Sequence, residues 1–146
     1  MLTSSTDYKA NVYAPVREFK SRVTITMDAF SQIPPYTTTR VFDDTKVMSV
    51  NIIEEVMITN TTSPANQCVV TLDNTDNLFN FINLGNMGSI IASKPKVVVE
   101  FGLVLTDGVT VEWKQMGVFF IEAWKNNKTG MTVEFTCHDW LQVLSN

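Results

Sequence analysis

Apolar residues alternate with polar ones along most of the chain, which is the period of a β-strand with one buried face. Val23, Ile25 and Met27, for example, alternate with threonines and Asp28. The same reasoning predicts further strands over residues 46–58, 68–72, 96–105, 110–116, 118–124 and 133–137. The run 46–58 departs from strict alternation near Ile53 to Glu55, which indicates a bulge or a bend.

Turn-forming residues separate these runs. Asp107-Gly108 is a hairpin signal, and clusters at 61–66, 73–77 and 126–130 are rich in Asn, Asp, Thr and Gly. Gly117 is expected to make a sharp join between two strands. Asp139 is a suitable cap for a short helix carrying Trp140, whereas segment 78–94 has no clear pattern.

Six to eight strands with little helix predict an all-β, mainly antiparallel fold. We expect a barrel-like or split-barrel domain with a short C-terminal helix. A Greek key and a meander both fit the turns.

Composition narrows the class of protein. The chain has 146 residues, 45% of them apolar, and a formal net charge of −4, as expected for one folded domain. The charge argues against a general nucleic-acid binder, which needs a basic face. The absence of an 18-residue apolar run argues against membrane insertion. We therefore expect no specific nucleic-acid partner and no membrane insertion.

Candidate chemistry is sparse. Cys68 and Cys137 are interpreted as buried free thiols, with a disulfide between them as the alternative. His138 follows Cys137 directly, so in a strand the two side chains point to opposite faces and form no nucleophile–base pair. Glu54 and Glu55 are separated in the same way. We predict no catalytic residue, no metal site and no cofactor, and hence a protein that is not an enzyme.

Two other groups of residues have an ordinary structural interpretation. The oxygen-rich residues 73–77 lack the central Gly and late Glu of an EF-hand loop, so a plain turn is favoured over a calcium site. Four aromatic residues have strand or helix spacing, and we favour a place in the core over a sugar-stacking platform: Phe119, Trp124, Phe135 and Trp140.

The order of the segments carries more information than any single motif. The relevant runs are 50–55, Asn66 and 70–79, followed by 94–102, Asp107-Gly108, 116–124 and 132–141, with a start at 8–17. In this order they resemble the N-terminal hub-type domain of tail proteins from phages and prophages of Gram-positive bacteria. The resemblance covers nearly the whole chain. The segments 31–39 and 125–130 have no counterpart in it.

The resemblance implies a virion structural protein of the baseplate or tail-tip hub. Such domains form a trimeric ring at the end of the tail tube, and fibre, lysin or receptor-binding domains commonly follow in the same chain. It also implies scaffold roles for Gly117, for Asp73 and Asn74 and for Asp139, and it carries over no catalytic residue. We expect a homotrimer that contacts other tail proteins of the tube or distal tail ring. Its location would be the virion tail, or the bacterial cytoplasm when expressed from a prophage.

Within this frame, residues 1–18 are expected to form an N-terminal arm and residues 19–146 the barrel, as the front part of a longer chain. The arm is apolar in parts and has little turn chemistry, so we predict that it packs on a neighbour or on the barrel. Its candidate interface residues are Tyr8, Tyr13, Pro15 and Arg17.

The alternative function is a carbohydrate-binding module used in adsorption to the host cell wall. An all-β domain can present exposed aromatic rings to a sugar, and Trp113 and Tyr36 are the candidates. A binding site also needs a concave surface with convergent polar groups, which only the fold can provide.

Overall fold

The computed structural model describes residues 3–26, 39–54, 66–79 and 95–140. Within these ranges the chain forms one helix and seven strands. The elements are α1 Thr6–Val12, β1 Phe19–Thr26, β2 Thr39–Phe42, β3 Val47–Ile53, β4 Gln67–Asp73, β5 Lys96–Val104, β6 Val111–Asn126 and β7 Thr132–His138.

All seven strands belong to one antiparallel sheet, in the order β2-β1-β5-β6-β7-β4-β3. The centre is a meander of β5, β6 and β7. The β1–β2 pair adds to one side of the meander and the β3–β4 pair to the other, so β2 and β3 are the two edges. The predicted all-β antiparallel class is confirmed.

The sheet must curl, because its two edge strands are neighbours in sequence. Only residues 43–46 connect β2 to β3, a link that reaches roughly 18 Å when extended. In a flat seven-stranded sheet the edges would lie about 29 Å apart. β1 and β3 indeed approach each other, but no described strand pair joins the edges. The result is a split barrel rather than a closed one.

The core lies inside the curl and follows the predicted alternation. On β4 and β7 every second residue is buried. Phe79 packs between two other rings, 5.7 Å from Phe42 and 5.1 Å from Phe135 between centroids. The buried cluster consists of Val23, Ile25, Phe42, Cys68, Val70, Leu72, Phe79, Val97, Val99, Phe119, Ile121, Val133, Phe135 and Cys137.

The prediction of a sharp join at Gly117 is wrong. β6 runs without interruption for 16 residues past this position. Its register shifts at Met116, because Val99 pairs with Gly117 while the next residue, Glu100, pairs with Gln115. Glycine is needed at 117 for space: a Cβ there would lie 2.5 Å from the Phe119 ring. The strand is therefore bulged and covered by its own aromatic side chain, not broken.

Other differences concern short elements and the chain end. Helix α1 and strand β2 were not predicted. The core position expected for Trp140 is wrong, since this side chain is 54% exposed and packs on Phe120 at 5.2 Å. The rest of the predicted C-terminal helix, most of segment 78–94, Tyr36 and Glu55 lie outside the described residues.

Candidate functional site

Helix α1 is fastened to the barrel through β6. Ser5 caps the helix, since its hydroxyl accepts a hydrogen bond from Tyr8 N. Ser5 also donates to Glu112, with its backbone N 3.1 Å from Oε1 and its hydroxyl bonded to the other carboxylate oxygen. Lys114 completes the contact: its Nζ lies 2.6 Å from Glu112 Oε1 and 4.9 Å from the centre of the Tyr8 ring. These hydrogen bonds hold the pKa of Glu112 low, at about 2.

Beyond the helix, the arm turns outward and exposes apolar side chains. Tyr13 is 87% and Val16 88% exposed, and Pro15 and Arg17 are exposed as well. The Arg17 guanidinium donates to Val12 O and lies 5.9 Å over the Phe19 ring. We interpret these two large apolar side chains, three residues apart in the sequence, as an interaction surface.

The four predicted interface residues thus divide into two groups. Tyr8 is half-buried against β6 and belongs to the contact between arm and barrel. Tyr13, Pro15 and Arg17 lie together on the exposed part of the arm. The arm was predicted to pack on the barrel or on a neighbouring molecule. Its first part packs on the barrel, and its second part is exposed and free to contact a neighbour.

An open cleft of about 420 Å³ lies between β3 and the β5–β6 pair. Val50, Ile52 and Glu54 line it from β3 and the residue that follows, because alternate residues of a strand share a face. Phe101 of β5 and Met116 of β6 line the opposite wall. Met116 is the extra residue of the β6 bulge. Of the described residues that line the cleft, four are apolar and Glu54 is the charged one.

The strand beside the cleft, β3, is an edge of the described sheet. β3 pairs with β4 on one side only, which leaves backbone N–H and C=O groups on its other side without a described strand partner. Its sequence, Val47 to Ile53, contains no charge and no proline, and Met48 and Ile53 are exposed. Natural edge strands usually carry such protective residues unless something covers them.

The cleft residues were not found from the sequence. Their alternation on β3 was visible, but Phe101 and Met116 are distant in sequence. The available signal was the uncharged run 47–53, which is unusual for an edge strand. Only the sheet order identifies it as an edge.

The ring of Trp113, a candidate sugar-binding residue, is covered on the outer face of the sheet. The Arg22 guanidinium lies 4.2 Å over its centre and is held there by Glu100, with Nε 2.7 Å from Oε2. Carbons of the ring lie against Gly102, where a Cβ would be only 2.9 Å from Trp113 Cε3. Stacking of a sugar on the Arg22 side would first require displacement of this arginine. Tyr36 lies outside the described residues.

The oxygen-rich turn 73–77 is held by a lysine. Lys46 Nζ lies 2.9 Å from Asp76 and 3.7 Å from Asp73, so both carboxylates share an ammonium group of the same chain. The Lys46 contact keeps the pKa of Asp76 below its ordinary value. Hydrogen bonds from Thr75 do the same for Asp73.

The buried residue of this turn is Asn74. Its amide accepts a hydrogen bond from Phe79 N at 3.0 Å and donates to Gly130 O at 3.1 Å. It thereby connects two turns at the same end of the barrel and holds Phe79 over the core. The plain-turn interpretation agrees with this geometry.

The two cysteines are buried free thiols, as predicted. They lie directly opposite each other on β4 and β7. Burial raises the pKa of Cys68 to about 12 and that of Cys137 further still, which disfavours the thiolate needed for nucleophilic chemistry. No cluster of metal-ligating side chains occurs among residues 3–26, 39–54, 66–79 and 95–140.

His138 points away from Cys137, as the strand geometry predicted. Its Nε2 lies 2.9 Å from Glu122 Oε2, on the face of β7 opposite the core. The histidine therefore pairs with a carboxylate rather than with a thiol, and the described residues around it include no nucleophile–base pair that involves Cys137.

Comparisons with known proteins add no identification. No family model matches the chain, and no curated protein matches it significantly. A search of the described helix for a membrane-spanning segment finds none.

Proposed function

We propose that this chain is a structural assembly module of a phage tail tip or baseplate. In this function it forms or joins the hub ring at the end of the tail tube and links the ring to downstream fibre, lysin or receptor-binding domains. The proposal is supported by the order of segments, which resembles hub-type tail domains.

One structural observation carries the proposal. The domain exposes two apolar surfaces that have no partner among the described residues: the arm around Tyr13 and Val16, and the cleft at Met116. A monomeric soluble protein rarely keeps such surfaces uncovered. An assembly subunit needs them, because each contact in a ring uses a surface of both neighbours.

The direct test is the location of the protein in the particle. Antibodies raised against the purified chain are applied to intact phage particles from the strain that encodes it, and the label is located by electron microscopy. We expect label at the distal end of the tail. Particles that contain the major tail proteins but carry no label would overturn the proposal.

The solution mass tests the ring. Light scattering across a concentration series should give three times the 16.4 kDa mass of the chain, and negative-stain images should show rings with an open centre. Assemblies of another closed symmetry would contradict the trimer but retain a ring-forming subunit.

The carbohydrate-binding alternative predicts a different result. A saturable change of tryptophan fluorescence with host cell-wall polysaccharide, lost in Trp113→Ala, would favour a binding module. We expect a flat titration, because the Arg22 guanidinium covers the Trp113 ring. The matched control is Trp140→Ala, which removes an exposed ring elsewhere on the surface.

A further inference from the structure

The arm and the cleft have complementary chemistry. The arm offers two exposed apolar side chains, Tyr13 and Val16, followed by the cation of Arg17. The cleft offers four apolar side chains and the anion of Glu54. Each surface therefore has the apolar area and the opposite charge that the other requires.

The two charges have no other ion-pair partner within the described part of the chain. Arg17 contacts a backbone carbonyl and an aromatic ring but no described carboxylate. Glu54 is exposed and makes no ion pair with a described residue. Five other cations have carboxylate partners nearby: Lys20, Arg22, Lys46, Lys114 and Lys125. Four more share the position of Arg17, with no ion pair to a described carboxylate: Lys9, Arg40, Lys96 and Lys128.

The described part of the arm does not fill the cleft of its own chain. Its arm is fastened to β6 through Ser5 and Tyr8, and the described arm leaves Tyr13 and Val16 in solvent. The cleft is open, with Met116 44% exposed. An arm that is anchored at its base and exposed at its tip is suited to reach a neighbouring molecule.

We infer that the cleft is the docking site for the arm of a second copy of this chain. Val16 and Tyr13 of one copy pack against Phe101 and Met116 of the next, and Arg17 pairs with Glu54 at the rim. The free edge of β3 supplies backbone groups for the arriving segment. This inference rests on the proposed function, since it names the partner and the contact by which the ring assembles.

The geometry of such a contact is directional. Each copy gives an arm and receives one, so the interface joins two different surfaces rather than the same surface twice. Head-to-tail contacts of this kind close into rings when the rotation between copies allows it. An assembly with two identical surfaces in contact would stop at a dimer.

Charge reversal tests the contact. The variants Arg17→Glu and Glu54→Arg are each compared with the double variant Arg17→Glu/Glu54→Arg by sedimentation across a concentration series. We expect each single variant to self-associate at least about ten-fold more weakly than the unmodified chain. The double variant should regain the self-association of the unmodified chain. Arg40→Glu, at an exposed position on edge strand β2, is the matched control and should leave the mass unchanged.

The outcomes separate the inference from the proposed function. If the chain assembles but none of the reversals changes its mass, the docking mode is overturned and the assembly function remains. The same conclusion follows if reversal alters the melting temperature of a monomer without altering mass. If the unmodified chain is monomeric at every concentration, the docking is overturned, and labelling of the tail still decides the function.

A cross-link provides a second, independent measurement. Val16→Cys and Met116→Cys are made separately, at exposed positions, and mixed under mild oxidation by oxidised glutathione. We expect a disulfide-linked dimer on a denaturing gel from the mixture and little from either variant alone. Because Cys68 and Cys137 are buried, they contribute little background. Equal yields with and without the partner variant would count against docking.

Discussion

The two sides of the barrel differ in how completely they are covered. Around β4 and β7, every inward side chain is buried, two cysteines face each other in the core, and Phe79 fills the space between other rings. Around β3, the inward side chains Val50 and Ile52 open onto a cleft in which Phe101 and Met116 remain partly in solvent. One side is a closed core, and the other borders an open cleft among the described residues.

This contrast indicates which side of the barrel stabilises the fold and which side is available for assembly. Burial of apolar area stabilises the fold in proportion to the area removed from water, so the closed side should dominate the free energy of unfolding. The open side contributes less to the isolated chain and more to contacts with a partner. Substitutions at matched positions on the two sides test this division.

The largest expected effect is that of truncating a buried ring on the closed side. Phe135→Ala removes a side chain that is 1% exposed and contacts Phe79, and it should lower the free energy of unfolding by about 3–5 kcal/mol. Phe101→Ala, in the cleft, should lower it by less than about 1.5 kcal/mol. Urea unfolding measures both. Equal losses would show that the two sides are equally important for stability.

Asn74→Ala tests the polar connection at the end of the closed side. The substitution leaves Phe79 N–H and Gly130 C=O without their partner, which should lower the free energy of unfolding by about 2–3 kcal/mol. Asn126→Ala, at an exposed position of β6, serves as control and should stay within about 0.5 kcal/mol. Thermal unfolding measures both variants. Equal losses of unfolding free energy in the two would show that the Asn74 hydrogen bonds do not stabilise the fold.

Gly117→Ala tests the boundary between the two sides, where β6 is bulged. The added Cβ would meet the buried Phe119 ring, so we expect a loss of about 1–2 kcal/mol in unfolding free energy from overpacking. Gln115→Ala, exposed on the same strand, should be close to neutral. If Gly117→Ala is neutral as well, the ring has room to move and the bulge tolerates a side chain.

The smallest effect concerns the attachment of the arm and depends on pH. The folded-state pKa of Glu112 is about 2, below its ordinary value of 4.5, so its bonds to Ser5 and Lys114 stabilise the fold fully above about pH 4.5. That contribution is lost as the pH falls towards 2. Melting temperatures of the unmodified chain and Glu112→Gln should therefore differ at pH 6 and converge near pH 2.

A constant difference between these two proteins across the pH range would contradict this origin of the stability. Hydrogen exchange of residues 6–12 adds a local readout. Exchange there should accelerate in Glu112→Gln at pH 6, while exchange in β7 should not.

The closed side was the more predictable half of the fold. On β4 and β7, polar and apolar residues alternate strictly, and the predicted burial of Cys68, Cys137 and Phe135 is confirmed. Burial in such strands can be predicted from the sequence, because each residue's environment depends only on which face of the sheet it occupies. The turn at 73–77 could also be predicted from local sequence, since its side chains form hydrogen bonds with nearby backbone groups.

The open side needed the tertiary structure. Helix α1 has a sequence signal, the cap at Ser5, but a seven-residue helix has little stability of its own and is held by Glu112, more than a hundred residues away. Strand β2 is only four residues long, too short for its period to be recognised. The continuity of β6 through Gly117 depends on its register with β5.

The class of the fold, most of its strands and the buried residues around β4 and β7 could be inferred from the sequence, because alternation along one strand is a local property. Only the tertiary structure decided that β3 is an edge, that Val50 and Ile52 face Phe101 and Met116 across a cleft, and that the arm is anchored at Tyr8 but free at Val16. These features arise from contacts between residues far apart in the chain, and the curl of the whole sheet brings those residues together.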